Sequence, residues 1–264
     1  MKTSTYTKFL FALIFFFSSV LNANDDAFFG LPSPSEILMD AESEGLKIVI
    51  NKNNSRILRA NLKEIAEKNK YEAAFAMGRM FAIAGFSFKK LKTQNILSLA
   101  NKMYVGTAAL NLPEIINNEI TGYYTKMLKN PKWERAELMI FFTSARSSLM
   151  YLMKDRKKVK ESEYPVVQTT STALELGMWF QGLSLALENL KPEQASSYGS
   201  VFIDEDILGY FNSCLEESLK FNKHPTLIKE LDSINKFTLE ILKDEKVEIS
   251  ELNSLKSKLN GVIK

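Results

Sequence analysis

The sequence predicts an all-α protein, and three observations lead there. Apolar residues recur at spacings of three and four along nearly every stretch after Ser33. Prolines and cap-forming side chains stand where those stretches begin, as they do at helix starts. Strand signals are scarce, and the best of them, Ile48-Val49-Ile50, is too short to carry a sheet. The chain has 264 residues, 45% hydrophobic and 25% charged, which is a globular composition rather than a disordered or fibrous one. The expectation is one helical domain over residues 24–264, with about eight to ten helices and short links.

The first 23 residues read as a signal peptide outside that fold. Lys2 and Lys8 give a positive start. Phe9 to Leu21 is apolar except for Ser18 and Ser19, and Ala23 precedes the polar Asn24, Asp25 and Asp26. A membrane-spanning helix needs roughly 20 apolar residues, and this run is shorter. No cysteine lies near the cut, which argues against a lipid anchor, and no later stretch is long enough to span a bilayer. The expected location is periplasmic or secreted. Cleavage behind Ala23 removes two lysines and no acids, leaving 241 residues with 32 basic and 31 acidic side chains. The net charge falls from +3 to +1, so a general basic field for nucleic acid is not expected.

The helices follow in order. Ser33-Pro34-Ser35-Glu36 has the layout of a capping box, and Gly45 is a stop for the helix it opens. Asn51 to Ser55 reads as a polar connector. Leu58, Leu62 and Ile65 begin another helix, which either continues into Tyr71 to Lys90 or breaks near Asn69. Thr93 is a cap, and Ile96, Ala100, Met103, Thr107 and Leu110 form one stripe. Pro113 restarts the chain, with Ile116, Ile120, Tyr123 and Met127 on the next stripe. Asn130-Pro131 caps a helix with Leu138, Phe142, Ala145, Leu149 and Leu152 on its inner face. The basic run Lys154 to Lys160 ends it, where cations suit the helix dipole. Pro165 opens a helix that runs to Leu190. Asp204-Glu205-Asp206 opens another, followed by helices over Pro225 to Leu242 and Ser250 to Ile263. The last carries Leu252, Leu255 and Leu259.

Two of these helices resemble each other. Ala74-Phe75-Ala76-Met77-Gly78-Arg79-Met80-Phe81 aligns with Ala173-Leu174-Glu175-Leu176-Gly177-Met178-Trp179-Phe180 at an offset of 99 residues. A fainter match sets Asn111, Pro113 and Ile116 against Asn222, Pro225 and Ile228. Either the chain holds two related helical halves or alanine-rich helices coincide by chance. The glycines carry a physical expectation in both cases. Glycine inside a helix costs about 1 kcal/mol against alanine, and close helix approach is the usual compensation. Gly78, with Ala74 and Ala82 one turn either side, and Gly177, with Ala173, are therefore expected where the two helices cross in the core.

Chemistry is limited by what the chain lacks. One histidine, His224, and one cysteine, Cys214, exclude a Cys/His zinc site and any intrachain disulfide. Cys214 falls on an apolar stripe with Ile207, Phe211 and Leu215, as a small hydrophobe. His224 precedes Pro225 and reads as a loop residue. Asp204, Glu205 and Asp206 cannot all face one ion from adjacent helical positions. No glycine-rich phosphate loop or Gly-x-Ser-x-Gly elbow is present. No metal, cofactor or catalytic residue is expected. A carboxylate-only hydrolase survives the counting, with Glu42 or the pair Glu134 and Glu137 as its acids. Ala41-Glu42-Ser43-Glu44-Gly45 faintly resembles the catalytic Glu-Ser of lytic transglycosylases, without their downstream Gly-Leu-Met-Gln.

Arg79 stands in a very apolar helix, where an arginine is rarely buried unless paired. Glu175 and Glu72 are its candidate partners. Its alternative role is to grip an anionic ligand inside the bundle. Phe141, Phe142, Tyr151, Trp179, Phe180, Tyr123 and Tyr124 can line an apolar pocket or simply fill a core.

Phe29-Gly30-Leu31-Pro32-Ser33-Pro34-Ser35-Glu36-Ile37, the Ala73 to Ser87 stretch around Gly78, and Leu176-Gly177-Met178-Trp179 carry a resemblance. Together they resemble a group of exported helical proteins of unknown function from Gram-negative bacteria, with a Leu-Pro-Ser-Pro opening. The resemblance covers roughly Phe29 to Glu188 and departs in the spacing of Gly and Trp in the second helix. It implies an all-α exported protein and carries over no catalytic residue. The leading expectation is a periplasmic, non-enzymatic module that binds a protein partner or acts as a scaffold. The alternatives are a carrier of an apolar or amphipathic small molecule and an envelope hydrolase. Arg79, Glu175, Trp179 and Tyr123 are the candidate ligand- or partner-binding residues.

Overall fold

The computed structural model describes residues 49–50, 52–87, 93–130, 159–191, 208–213, 215–216, 225–241 and 248–262, with isolated positions at 137–138, 144–145, 148–149, 151, 157 and 243. The leader, the Ser33-Pro34 helix start, Glu42, Glu134, Phe141, Phe142, Asp204 to Asp206, Cys214 and His224 lie outside the described residues. Every regular element among the described residues is a helix, so the all-α expectation holds. In chain order they are α1 (Lys52–Ile57), α2 (Leu62–Lys68), α3 (Lys70–Ser87), α4 (Thr93–Ala109), α5 (Glu114–Lys129), α6 (Tyr164–Asn189), α7 (Pro225–Ile241) and α8 (Ile249–Val262). Further helical turns occur at residues 208–213.

The expected connector Asn51 to Ser55 is corrected over its described part: Asn51 lies outside the described residues, and Lys52 to Ser55 form most of α1. Its side chains give no apolar period. Instead Asn54, 2% exposed, is bonded to α6 by two carboxamide hydrogen bonds described below. Tertiary contacts override weak local preference here.

The chain breaks at Asn69, as one of the two sequence readings had it. Asn69 donates its backbone N–H to Ile65 O at 2.8 Å, closing α2. Its side-chain Oδ1 accepts from the backbone N–H groups of Tyr71 at 2.9 Å and Glu72 at 3.3 Å, capping α3. One residue therefore ends a helix and begins the next.

α3 and α6 make the most extensive helix–helix contact among the described elements. Both are rich in apolar residues with no single apolar face, the pattern of a helix enclosed by protein. In α6 every residue from Thr170 to Leu187 is buried except Met178, which is half-buried. The contact centres on the two glycines. A Cβ on Gly78 would land on the backbone carbonyl of Leu174, and a Cβ on Gly177 would land on that of Phe75. Phe75 and Leu174, like Gly78 and Gly177, are 99 residues apart. The contact is thus reciprocal, and exchanging the two helices maps it onto itself, as in a two-fold symmetric interface.

Outer helices pack around this pair by ordinary stripes. On α4, Ile96, Ala100, Met103, Thr107 and Leu110 are all buried, as their spacing predicts. Thr107 fits the stripe because its hydroxyl donates to Met103 O at 2.8 Å, one turn back. Asn111, in the left-handed conformation at φ 51°, follows the end of α4. Leu252, Leu255 and Leu259 are buried on α8, which packs on α7 and α6. Along α5 the buried residues are Ile116, Ile120, Tyr124 and Met127. Tyr123 is only half-buried, which corrects its place on that stripe. A 3.6-residue period fits either of two adjacent tyrosines, and packing selects the second. Burial raises the phenol pKa of Tyr124 above the usual tyrosine range.

Glycine substitutions separate close approach from helix propensity. Gly78→Ala and Gly177→Ala should each destabilise by about 3 kcal/mol, because backbone must move to admit a methyl group. Gly122→Ala, where the added Cβ meets nothing within 4 Å, should stabilise by about 1 kcal/mol. Urea unfolding measures all three. Equal stabilisation at the three positions would contradict the close approach.

Candidate functional site

Arg79 lies in the middle of α3, one residue past Gly78, and is 8% exposed. Its Nε–H donates to Gln181 Oε1 at 3.1 Å. Gln181, 1% exposed, sits one turn beyond Gly177 on the same face of α6. Its Nε2 donates to Asn54 Oδ1 at 2.8 Å, and Asn54 Nδ2 donates to Glu188 Oε2 at 3.0 Å. A cation and a carboxylate are therefore joined through two carboxamides, all of whose dipoles point the same way. Hydrogen bonds in such a chain polarise one another in a low-dielectric interior. Burial lowers the Arg79 pKa to about 10, which still leaves it protonated at neutral pH.

Glu175 and Trp179 occupy the other side of α6. Each stands two residues from Gly177, about 200° round a helix from the face turned to α3. The Tyr210 hydroxyl donates to Glu175 Oε2 at 2.6 Å, and Phe211 packs on Trp179 with ring centroids 5.5 Å apart. At the crossing Arg79 meets the Gln181 side chain, and Glu175 meets Tyr210 in residues 208–213. Glu72, the other expected partner, is exposed at the start of α3 and accepts from Asn69 Nδ2 at 3.2 Å. The Trp179 indole N–H, though buried, has no hydrogen-bond partner among the described residues.

Of the four residues singled out from sequence, Arg79 is buried at the α3–α6 crossing, and Glu175 and Trp179 are buried on the opposite side of α6. Tyr123 is half-buried on α5. Glu137 is exposed. Sequence reasoning missed Gln181, Asn54, Glu188 and Tyr210. Gln181 carried a usable signal, since it is a polar residue four positions from Gly177 in an apolar helix.

A second feature lies where the α1–α2 turn meets α4. A cleft of about 170 Å³ is lined by Arg59, Ala60, Asn61, Leu62, Asn101, Lys102 and Val105. Lys102 Nζ donates to Leu58 O at 2.7 Å, which fixes the ammonium at the edge of the cleft. Partial burial, then the neighbouring Arg59 charge, holds the Lys102 pKa below its ordinary value. Asn61 Oδ1 accepts from Glu64 N–H at 3.4 Å as the cap of α2.

Among the described residues no three His, Cys, Asp or Glu side chains are grouped to hold a metal ion. No helix among them is long and apolar enough to cross a membrane. No family model, curated protein or solved structure matches the chain.

Gln181→Leu tests the relay. It keeps apolar volume but removes one bond from Arg79 and one from Asn54, and should cost about 3 kcal/mol. In a double-mutant cycle with Arg79→Met, the two losses should fall short of additive by at least about 1 kcal/mol. Strict additivity would contradict a direct link.

Proposed function

We propose that this chain is an exported, non-enzymatic helical module that binds another protein. One observation carries the reading. Four polar side chains at the centre of the fold are bonded in series, Arg79 to Gln181, Gln181 to Asn54 and Asn54 to Glu188. They join α1, α3 and α6, so their arrangement supports a rigid interior with recognition left to the surface. A periplasmic or secreted location draws its support from the signal-type leader and from the resemblance to uncharacterised exported helical proteins of Gram-negative bacteria.

A carrier of an apolar or amphipathic small molecule is the second reading. It is favoured by the buried Trp179 N–H, which has no partner among the described residues, beside the Phe211 ring. Buried indole N–H groups usually find a partner, and a ligand acceptor is one way to supply it.

Native mass spectrometry of the protein recovered from its own envelope fraction tests both export and binding. The expected species starts at Asn24 and carries a bound protein. A retained lipid or other small molecule in its place overturns the protein-binding reading in favour of the carrier. A mass that includes residues 1–23 overturns export with cleavage behind Ala23.

A further inference from the structure

We propose that the cleft between the α1–α2 turn and α4 binds a phosphate group through Arg59, Lys102, Asn61 and Asn101. Four of its seven lining residues carry nitrogen donors, and none is acidic. The Arg59 guanidinium has no hydrogen-bond or ion-pair partner among the described residues. Lys102 is held in place by Leu58 O through one of its three N–H bonds, leaving two for a ligand. Asn61 uses its oxygen to cap α2, so its NH2 end is the end available to the cleft. Two cations brought close together repel each other, and an anion between them reverses the sign of that interaction.

The donor set favours a phosphate over a carboxylate. Guanidinium, ammonium and two carboxamides come from four different lining residues, which matches the several acceptor oxygens of a tetrahedral phosphate anion. The volume of about 170 Å³ compares with about 30 Å³ for one water in the liquid, so a phosphate group fits. Ala60, Leu62 and Val105 supply apolar wall for whatever bears it.

The probe is inorganic phosphate added to the full mature chain at constant ionic strength, against chloride and acetate. At about ten times a Kd of order 1 mM, phosphate should raise Tm by about 4 °C. Arg59→Gln removes no described bond and should reduce the rise below about 1 °C, while Lys236→Gln, at an ion pair elsewhere, should leave it unchanged. Vesicles containing phosphatidylglycerol separate the sources. Sedimentation with them that inorganic phosphate reverses assigns the group to a lipid headgroup, and a phosphate shift without sedimentation assigns it to a soluble phosphate ester. No shift with phosphate, an equal shift with acetate, or a full shift in Arg59→Gln overturns the proposal.

Discussion

At the α3–α6 crossing two backbones come so close that neither Gly78 nor Gly177 can carry a Cβ. Leu174 and Phe75 present their carbonyls to those two positions, and each glycine lies against the segment that holds the other. Close approach of this kind increases the number of atoms in contact, and dispersion is large only when summed over many such contacts. It offsets the loss of about 1 kcal/mol that each mid-helix glycine brings. α1, α2, α4 and α8 each pack on α3 or α6, and α5 and α7 pack in turn on α4 and α8.

The polar relay is placed by the same crossing. Arg79 follows Gly78, and Gln181 follows Gly177 by one turn, so closing the two glycines against each other aligns the guanidinium with the carboxamide. From there Asn54 carries the connection into α1 and back to Glu188 near the end of α6. An isolated buried charge costs several kcal/mol, and breaking a buried pair is strongly unfavourable. The relay lowers that cost by giving the guanidinium a fixed acceptor and linking it through two carboxamides to Glu188. It also explains a helix over Lys52–Ile57, whose own residues have little reason to be helical. The reciprocity of the backbone contact does not extend to these side chains, since the positions equivalent to Arg79 and Gln181 are Met178 and Ala82. Two similar helices meet symmetrically, and their side chains distinguish them.

Much of the fold was legible in the sequence wherever a helix has one apolar side. The α4 stripe and the α8 leucines follow from spacing, whereas the break at Asn69 was one of two open readings, decided by the caps that residue makes. Gly78 and Gly177 were legible through their cost in a helix. What was not legible depends on which side of a helix faces which neighbour. α6 is buried on nearly all sides, so periodicity could not assign Gln181 to Arg79 or Glu175 to Tyr210. Tyr123 and Tyr124 differ by one position, which a 3.6-residue period does not resolve. Asn54 is bonded to residues 127 and 134 positions away, beyond the reach of any local pattern. The Arg59–Lys102 cleft is likewise assembled by a contact across 44 residues, from Lys102 to Leu58.

Native-state hydrogen exchange tests the central claim most directly, because it ranks segments by the free energy needed to open them. If the glycine crossing holds the fold together, the slowest amides are those of residues 75–80 in α3 and 174–179 in α6, exchanging only with global unfolding. Faster exchange there than in α5 or α8 would contradict it, and would move the stability of the protein to its outer helices.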